Sequence, residues 1–274
     1  MTSQPTSPLS QRLRAADGAQ VEIYVHSAHV TSWIPAGGVE SLFLSRSSDL
    51  KPGAVIRGGV PVVFPQFSGL GGLPKHGFAR TASWQAEPGA SPGCVRFTLR
   101  ETPATLALWP HPFLAEMGAA VEANRLELHL AVTNTGEAPF SFTAALHTYF
   151  GVEDCQQASV EGLQGTRYHD TTRTPWDEAV QSEASLRFPG EVDRIYYDAP
   201  PVRLRTPARC LSVQAQGFRD LVAWNPGPVK AAALPDLDDY RQMVCLEAAC
   251  IGSPVLLPPG GRWQGAQILT AEAS

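Results

Sequence analysis

The chain has 274 residues, 43% hydrophobic and 17% charged, with 21 Lys and Arg against 26 Asp and Glu. This balance excludes a disordered chain, and a net charge of -5 excludes a global attraction to nucleic acid or to an anionic membrane. With the net charge negative, any anionic ligand has to be met by a local cluster of cations, and no apolar stretch reaches the roughly 18 residues that span a bilayer.

Residues 1–14 are rich in Ser and Thr, carry Arg12 and Arg14 and contain no acid. They read as a flexible tail, with a short transit-like segment as the other reading, and they lack the apolar core of a secretory signal. The expectation is a cytoplasmic protein, organellar import remaining open, with residues 15–274 as one domain. The five cysteines, Cys94, Cys155, Cys210, Cys245 and Cys250, form no CxxC pair, so neither a disulfide framework nor a zinc site is expected.

Short alternating runs then recur along the chain: Val21 to Val25, Cys94 to Leu99, Leu126 to Val132, Phe140 to Phe150, Val202 to Arg205, Leu211 to Ala215, Leu221 to Trp224, Val244 to Ile251 and Gln267 to Thr270. Gly and Pro, 24 of each, punctuate the whole length as turn formers. Helical signals are confined to Thr105 to Trp109 and one or two turns within residues 235–242, too little to organise a domain. With no internal repeat, these elements predict a mostly antiparallel, all-β sandwich.

Between the first two runs lies Arg57-Gly-Gly-Val-Pro-Val-Val-Phe-Pro-Gln-Phe67, followed by Leu73-Pro-Lys-His-Gly-Phe-Ala-Arg80. Arg57, Lys75 and Arg80 on neighbouring loops match the oxygens of a phosphate dianion, since Arg presents a planar fork of donors and Lys a point charge. Three solvated surface charges are the alternative, and GxxxxGK[ST] is absent, so this is no P-loop. In Phe140 to Phe150 the even positions are apolar, and the odd row Ser141, Thr143, Ala145, His147 and Tyr149 faces the other way. His147 is there either a structural hydrogen-bonding group or an acid/base. His26 and His29 lack a third ligand, and His129 shares a solvent face with Glu127, so no metal is expected.

Asp193, in Glu191-Val-Asp-Arg-Ile-Tyr196, suits either sugar hydroxyls or a local pair with Arg194. Trp224, before Asn-Pro-Gly-Pro, stands at a strand end where it either covers a sugar ring or fills the core. Glu247 is a lone carboxylate inside the apolar run Met243 to Ile251, where burial raises a carboxyl pKa. That setting suits a general base and equally a structural ion pair.

The ordered set Ile56-Arg-Gly-Gly-Val-Pro-Val-Val-Phe-Pro65, His76-Gly-Phe-Ala-Arg80, Leu146-His-Thr-Tyr-Phe150, Asp193-Arg-Ile-Tyr196, Val222-Ala-Trp-Asn-Pro226 and Cys245-Leu-Glu247 resembles the hexose-6-phosphate mutarotase branch of the aldose 1-epimerase family. It spans roughly residues 20–270. The resemblance implies a galactose-mutarotase-like β-supersandwich that needs no cofactor and interconverts the α and β anomers of a hexose 6-phosphate, glucose 6-phosphate foremost. It implies His147 and Glu247 as the catalytic pair, and Arg57, Lys75, His76, Arg80 and Asp193 as substrate contacts. Lys75 departs from relatives that carry Gln there. The expected partner is a small sugar phosphate, with no nucleic acid and no membrane, and the expected state is a monomer. A mutarotase of free aldoses and a non-catalytic carbohydrate-binding sandwich are the rival readings.

Overall fold

Period-two burial organises the chain, as in Phe113–Glu122, where each second residue from Phe113 to Val121 is buried. A turn at Ala123 and Asn124 folds this strand back on Arg125–Asn134, with Glu122 opposite Arg125. The computed structural model describes residues 10–88 and 93–272. Among these, a nine-stranded and an eight-stranded sheet, all of whose strand pairings are antiparallel, lie beside a three-stranded sheet. No described helix is long and apolar enough to cross a membrane.

All nine runs expected to alternate contain strand, while Phe113–Glu122 escaped notice because Glu116, Gly118, Ala119 and Ala120 dilute its β-forming signal. The expected helix forms as Pro103–Leu108, capped by the Thr102 side chain. Residues 235–242 supply only the 3-10 turn Tyr240–Gln242, and a second helix, Gly227–Ala231, follows the Trp224-Asn-Pro226 motif.

The expected tail needs correction. Residues 1–9 lie outside the described residues, but Ser10–Arg14 is a strand paired with Gln20–Tyr24. Backbone pairing, the Arg12–Glu22 ion pair at 2.7 Å and packing of Leu13 against the core hold it there.

One core cluster joins the two large sheets: Phe142, Leu146, Leu246 and Ala248 of the eight-stranded sheet pack with Leu128, Leu130 and Leu269 of the nine-stranded one. The other face of the eight-stranded sheet carries a second cluster that includes Ala145, Tyr149, Val222, Trp224, Cys245 and Ala249. Met243–Leu257 lies between its neighbours Phe140–Leu146 and Asp220–Asn225. Its first nine residues are buried because even positions face the inter-sheet core and odd positions the second cluster. Glu247 is an odd position, so the sheet turns it away from the core.

Candidate active site

Three adjacent strands supply the floor of a cavity of about 480 Å³ over this second face, within the size range of small-molecule sites. Asp193 and Ile195 come from Val192–Tyr196, Val222 and Trp224 from Asp220–Asn225, and Glu247 from Met243–Leu257. The strand Phe140–Leu146 ends where Leu146 opposes Ala248, and pairing resumes with Tyr149 opposite Cys245. His147 falls in the gap, its N–H donating to the Pro61 carbonyl, and so stands across from Glu247. The two side chains meet, His147 Nε2 to Glu247 Oε1, at 3.3 Å.

Aromatic rings fix the imidazole. Tyr149 stacks flat on His147 at 4.7 Å with 9° between planes, while His76 and Trp224 meet it edge-on at 5.5 and 6.0 Å. Burial pushes the His147 pKa well below its ordinary value, and His76, Arg80 and Arg57 push in the same direction. Glu247 moves the other way, raised well above the carboxylate range by burial and then by the charge of Asp193. Neither His147 Nδ1 nor Glu247 Oε2 has a hydrogen-bond partner among the described residues.

The wall is built by the loops of residues 57–80. Gln66 ties its loop shut by donating to the Ser68 and Leu73 carbonyls and accepting from the Leu73 N–H. His76 adopts φ 66° and Gly77 φ 68°. A Cβ on Gly77 would lie 2.2 Å from the Phe64 carbonyl oxygen, so only glycine fits this turn. The Ser68 N–H donates to His76 Nδ1. Burial, then Arg80, Lys75 and Arg57, lower the His76 pKa to about 3, so the neutral ring carries its hydrogen on Nε2 as a donor.

Arg57, Lys75, His76, Arg80, His147, Asp193 and Glu247 all line this one cavity, so the geometry gathers the seven positions that the resemblance implies as catalytic or substrate contacts. It also separates the cations. Arg57 donates Nε and Nη2 to Asp236 at 3.1 and 3.2 Å and Nη1 to the Tyr149 hydroxyl at 3.1 Å. Lys230 pairs with Glu191 at 2.9 Å and Asp193 at 3.5 Å. Lys75 and Arg80 form no ion pair among the described residues, and the Arg80 Nη2 donates to the Lys75 carbonyl. Burial lowers the pKa of both, with Lys230 the next cause at Lys75.

Asp193 is no turn residue paired with Arg194. It lies in a strand facing the cavity, while Arg194 sits over the Tyr168 ring and pairs with Asp170. His29 spends Nε2 on the Gly58 carbonyl, and His129 meets Glu127. Sequence reasoning missed Lys230, Asp236, Thr171 and Trp176, which also line the cavity. Lys230 and Asp236 follow the Trp224-Asn-Pro226 motif closely, which was the available signal.

The aldose 1-epimerase family matches residues 10–270 of the chain. The chain belongs to the aldose 1-epimerase family. Among family relatives, a Cenchrus ciliaris protein provisionally named glucose-6-phosphate 1-epimerase is 36% identical over 96% of this chain and 84% of its own length. A protein of the same provisional name from Escherichia coli K12 is 36% identical over 82% of this chain and 78% of its own. The crystal structure of a provisionally named mutarotase from Salmonella typhimurium superposes with a TM-score of 0.85, at 29% identity, covering all of this chain and 96% of that one. The fold of this family member is therefore the galactose-mutarotase-like β-supersandwich.

Proposed function

We propose that the chain is an isomerase that interconverts the α and β anomers of a hexose 6-phosphate, with glucose 6-phosphate as the leading substrate. One observation carries this reading: a buried His147–Glu247 pair lines the same cavity as Lys75 and Arg80, two cations that form no ion pair with a carboxylate among the described residues. An acid/base pair suits opening of a hemiacetal, and the two unpaired cations match the charge of a phosphate dianion. A neutral hexose leaves those cations unanswered. The provisional names of the Cenchrus ciliaris and Escherichia coli relatives agree with it.

The pair needs to share a single proton. In the ring-opening step the Glu247 carboxylate takes the proton of the anomeric O1 hydroxyl and protonated His147 gives its proton to the ring oxygen. The C1–O5 bond breaks and C1 becomes an aldehyde. Rotation about C1–C2 presents the other carbonyl face. The C5 hydroxyl then adds to C1 while neutral His147 accepts its proton and Glu247 returns a proton to O1, restoring both groups.

Burial favours the form with both side chains uncharged, which is the form required just after ring opening. A bound phosphate favours protonation of His147, because it offsets Arg80 and Arg57, whose charges, after burial and His76, hold the ring neutral. Contacts from Lys75 and Arg80 to the phosphate, and from Asp193 and the His76 Nε2–H to sugar oxygens, hold one end of the open chain while the aldehyde turns.

Anomer-exchange NMR on glucose 6-phosphate and on glucose tests the proposal. Faster exchange of the phosphorylated sugar is expected; equal or faster turnover of free glucose would overturn the substrate assignment.

A further inference from the structure

Arg57 enters the cavity with its guanidinium already held on two sides. Asp236 takes the Nε hydrogen and one on Nη2, and the Tyr149 hydroxyl takes one on Nη1. A guanidinium has five such hydrogens, so one remains on each terminal nitrogen to donate to phosphate oxygens. Burial opposes the Arg57 charge, and Tyr149 and Asp236 more than restore it, leaving its pKa raised.

The backbone on both sides of this ion pair converges on Ser45. The Ser45 N–H donates to the Arg57 carbonyl at 3.0 Å, and the Ser45 hydroxyl accepts from the Asp238 N–H at 3.1 Å. Asp238 also pairs with Arg46 at 3.0 Å, and the Leu237 N–H closes a turn on Leu234. Asp236 therefore stands on an anchored turn rather than on a free loop, and it lines the cavity together with Arg57.

We infer that Asp236 is a positioning residue of the phosphate subsite, aiming the two remaining Arg57 donors at the substrate beside Lys75 and Arg80. The inference rests on the hexose 6-phosphate reading and adds a prediction of sign. Charge alone says that removing a carboxylate from an anion site tightens anion binding. Positioning says the reverse, because an Arg57 released from Asp236 loses its fixed plane and spends conformational entropy on each phosphate contact.

The test compares wild type, Asp236→Asn and Asp236→Glu in glucose 6-phosphate anomer exchange, with melting temperature measured in parallel. Asp236→Asn is expected to raise KM for glucose 6-phosphate about 10- to 100-fold, the range for hydrogen bonds to charged groups. Its kcat is expected to change less than its KM, and Asp236→Glu, which keeps the carboxylate, to recover part of the loss. An unchanged or lowered KM in Asp236→Asn overturns the inference, and so does an equal rise of KM for free glucose. Calorimetric titration with inorganic phosphate needs no turnover. Failure of wild type to exchange glucose 6-phosphate counts against the substrate reading, whereas unchanged phosphate affinity in Asp236→Asn counts against the role of Asp236.

Discussion

His147 and Glu247 face each other at 3.3 Å across two neighbouring strands, where the pairing lapses between Leu146 opposite Ala248 and Tyr149 opposite Cys245. That lapse gives the imidazole a position in the cavity rather than a place in a continuous ladder. Burial drives both groups toward their uncharged forms, so each responds to a ligand that alters local charge. Glu247→Gln and His147→Ala should each slow glucose 6-phosphate anomer exchange on the order of 10²- to 10⁴-fold. Exchange NMR checks this, and near-normal rates in both variants would remove the acid/base assignment. Glu247→Gln should not lower the melting temperature, because an amide opposes its own burial less than a carboxylate does.

The cavity arginines should dominate discrimination between phosphorylated and free sugar. Arg80→Ala removes a guanidinium with no carboxylate partner among the described residues, whereas Arg57→Ala also strands Asp236 and frees the Tyr149 hydroxyl. Both are expected to lower kcat/KM for glucose 6-phosphate about 10- to 100-fold, with a much smaller loss on glucose. Arg57→Ala should additionally lower the melting temperature more than Arg80→Ala does. Equal losses on both sugars would show that the loops support the fold and do not recognise phosphate.

The sequence made the floor of the site legible and left its charge balance hidden. Period-two alternation in Phe140 to Phe150 put His147 on the face opposite the core, and Met243 to Ile251 displayed Glu247 as its one carboxylate. Order of motifs did the rest, since the fold brings residues of each, from strands and loops alike, to one cavity. The pairing of Arg57 with Asp236, 179 residues apart, has no local pattern to betray it. Arg57 therefore read as an unpaired cation when two edges of it are already occupied. Lys230, on the helix Gly227–Ala231, was hidden for the same reason, its partner Asp193 lying 37 positions earlier on a strand. The strand Ser10–Arg14 was obscured differently: its Arg and Ser look like tail composition, and only its partner Gln20–Tyr24 makes it a strand.

Acid should weaken the fold through His29. This buried ring spends Nε2 on the Gly58 carbonyl at 2.7 Å, and its Nδ1 has no acceptor among the described residues. Burial lowers its pKa to about 4. An unfolded His29 binds a proton below about pH 6.5 while the folded one does not until about pH 4. The unfolded state thus holds more protons in that window, and stability present above pH 6.5 is lost as pH falls toward 4, by about 3 kcal/mol from this group. Glu247 has the opposite sign, since its raised pKa makes the folded state bind the extra proton above the usual carboxylate range. Melting temperature measured from pH 7 to pH 4 should fall, and His29→Gln should fall less steeply. Parallel slopes in the two proteins would assign the acid sensitivity to other groups.

Gly77 offers a test of how far the His76 wall depends on one turn. Its φ of 68° and the 2.2 Å approach of an added Cβ to the Phe64 carbonyl oxygen leave alanine no unstrained place. The clash is with backbone, and the Phe64 carbonyl also accepts from the Phe78 and Ala79 N–H groups, so it cannot retreat without breaking those bonds. Gly77→Ala should cost on the order of 1 to 3 kcal/mol, the range for a strained backbone residue. Because His76 precedes this glycine and meets His147 edge-on at 5.5 Å, the same change should lower kcat/KM on glucose as well as on glucose 6-phosphate. That shared loss distinguishes it from Arg80→Ala, whose effect follows the phosphate. Denaturant unfolding together with exchange NMR on both sugars reads the two quantities separately, and a Gly77→Ala variant of unchanged stability would mean that the turn can open to accept a side chain.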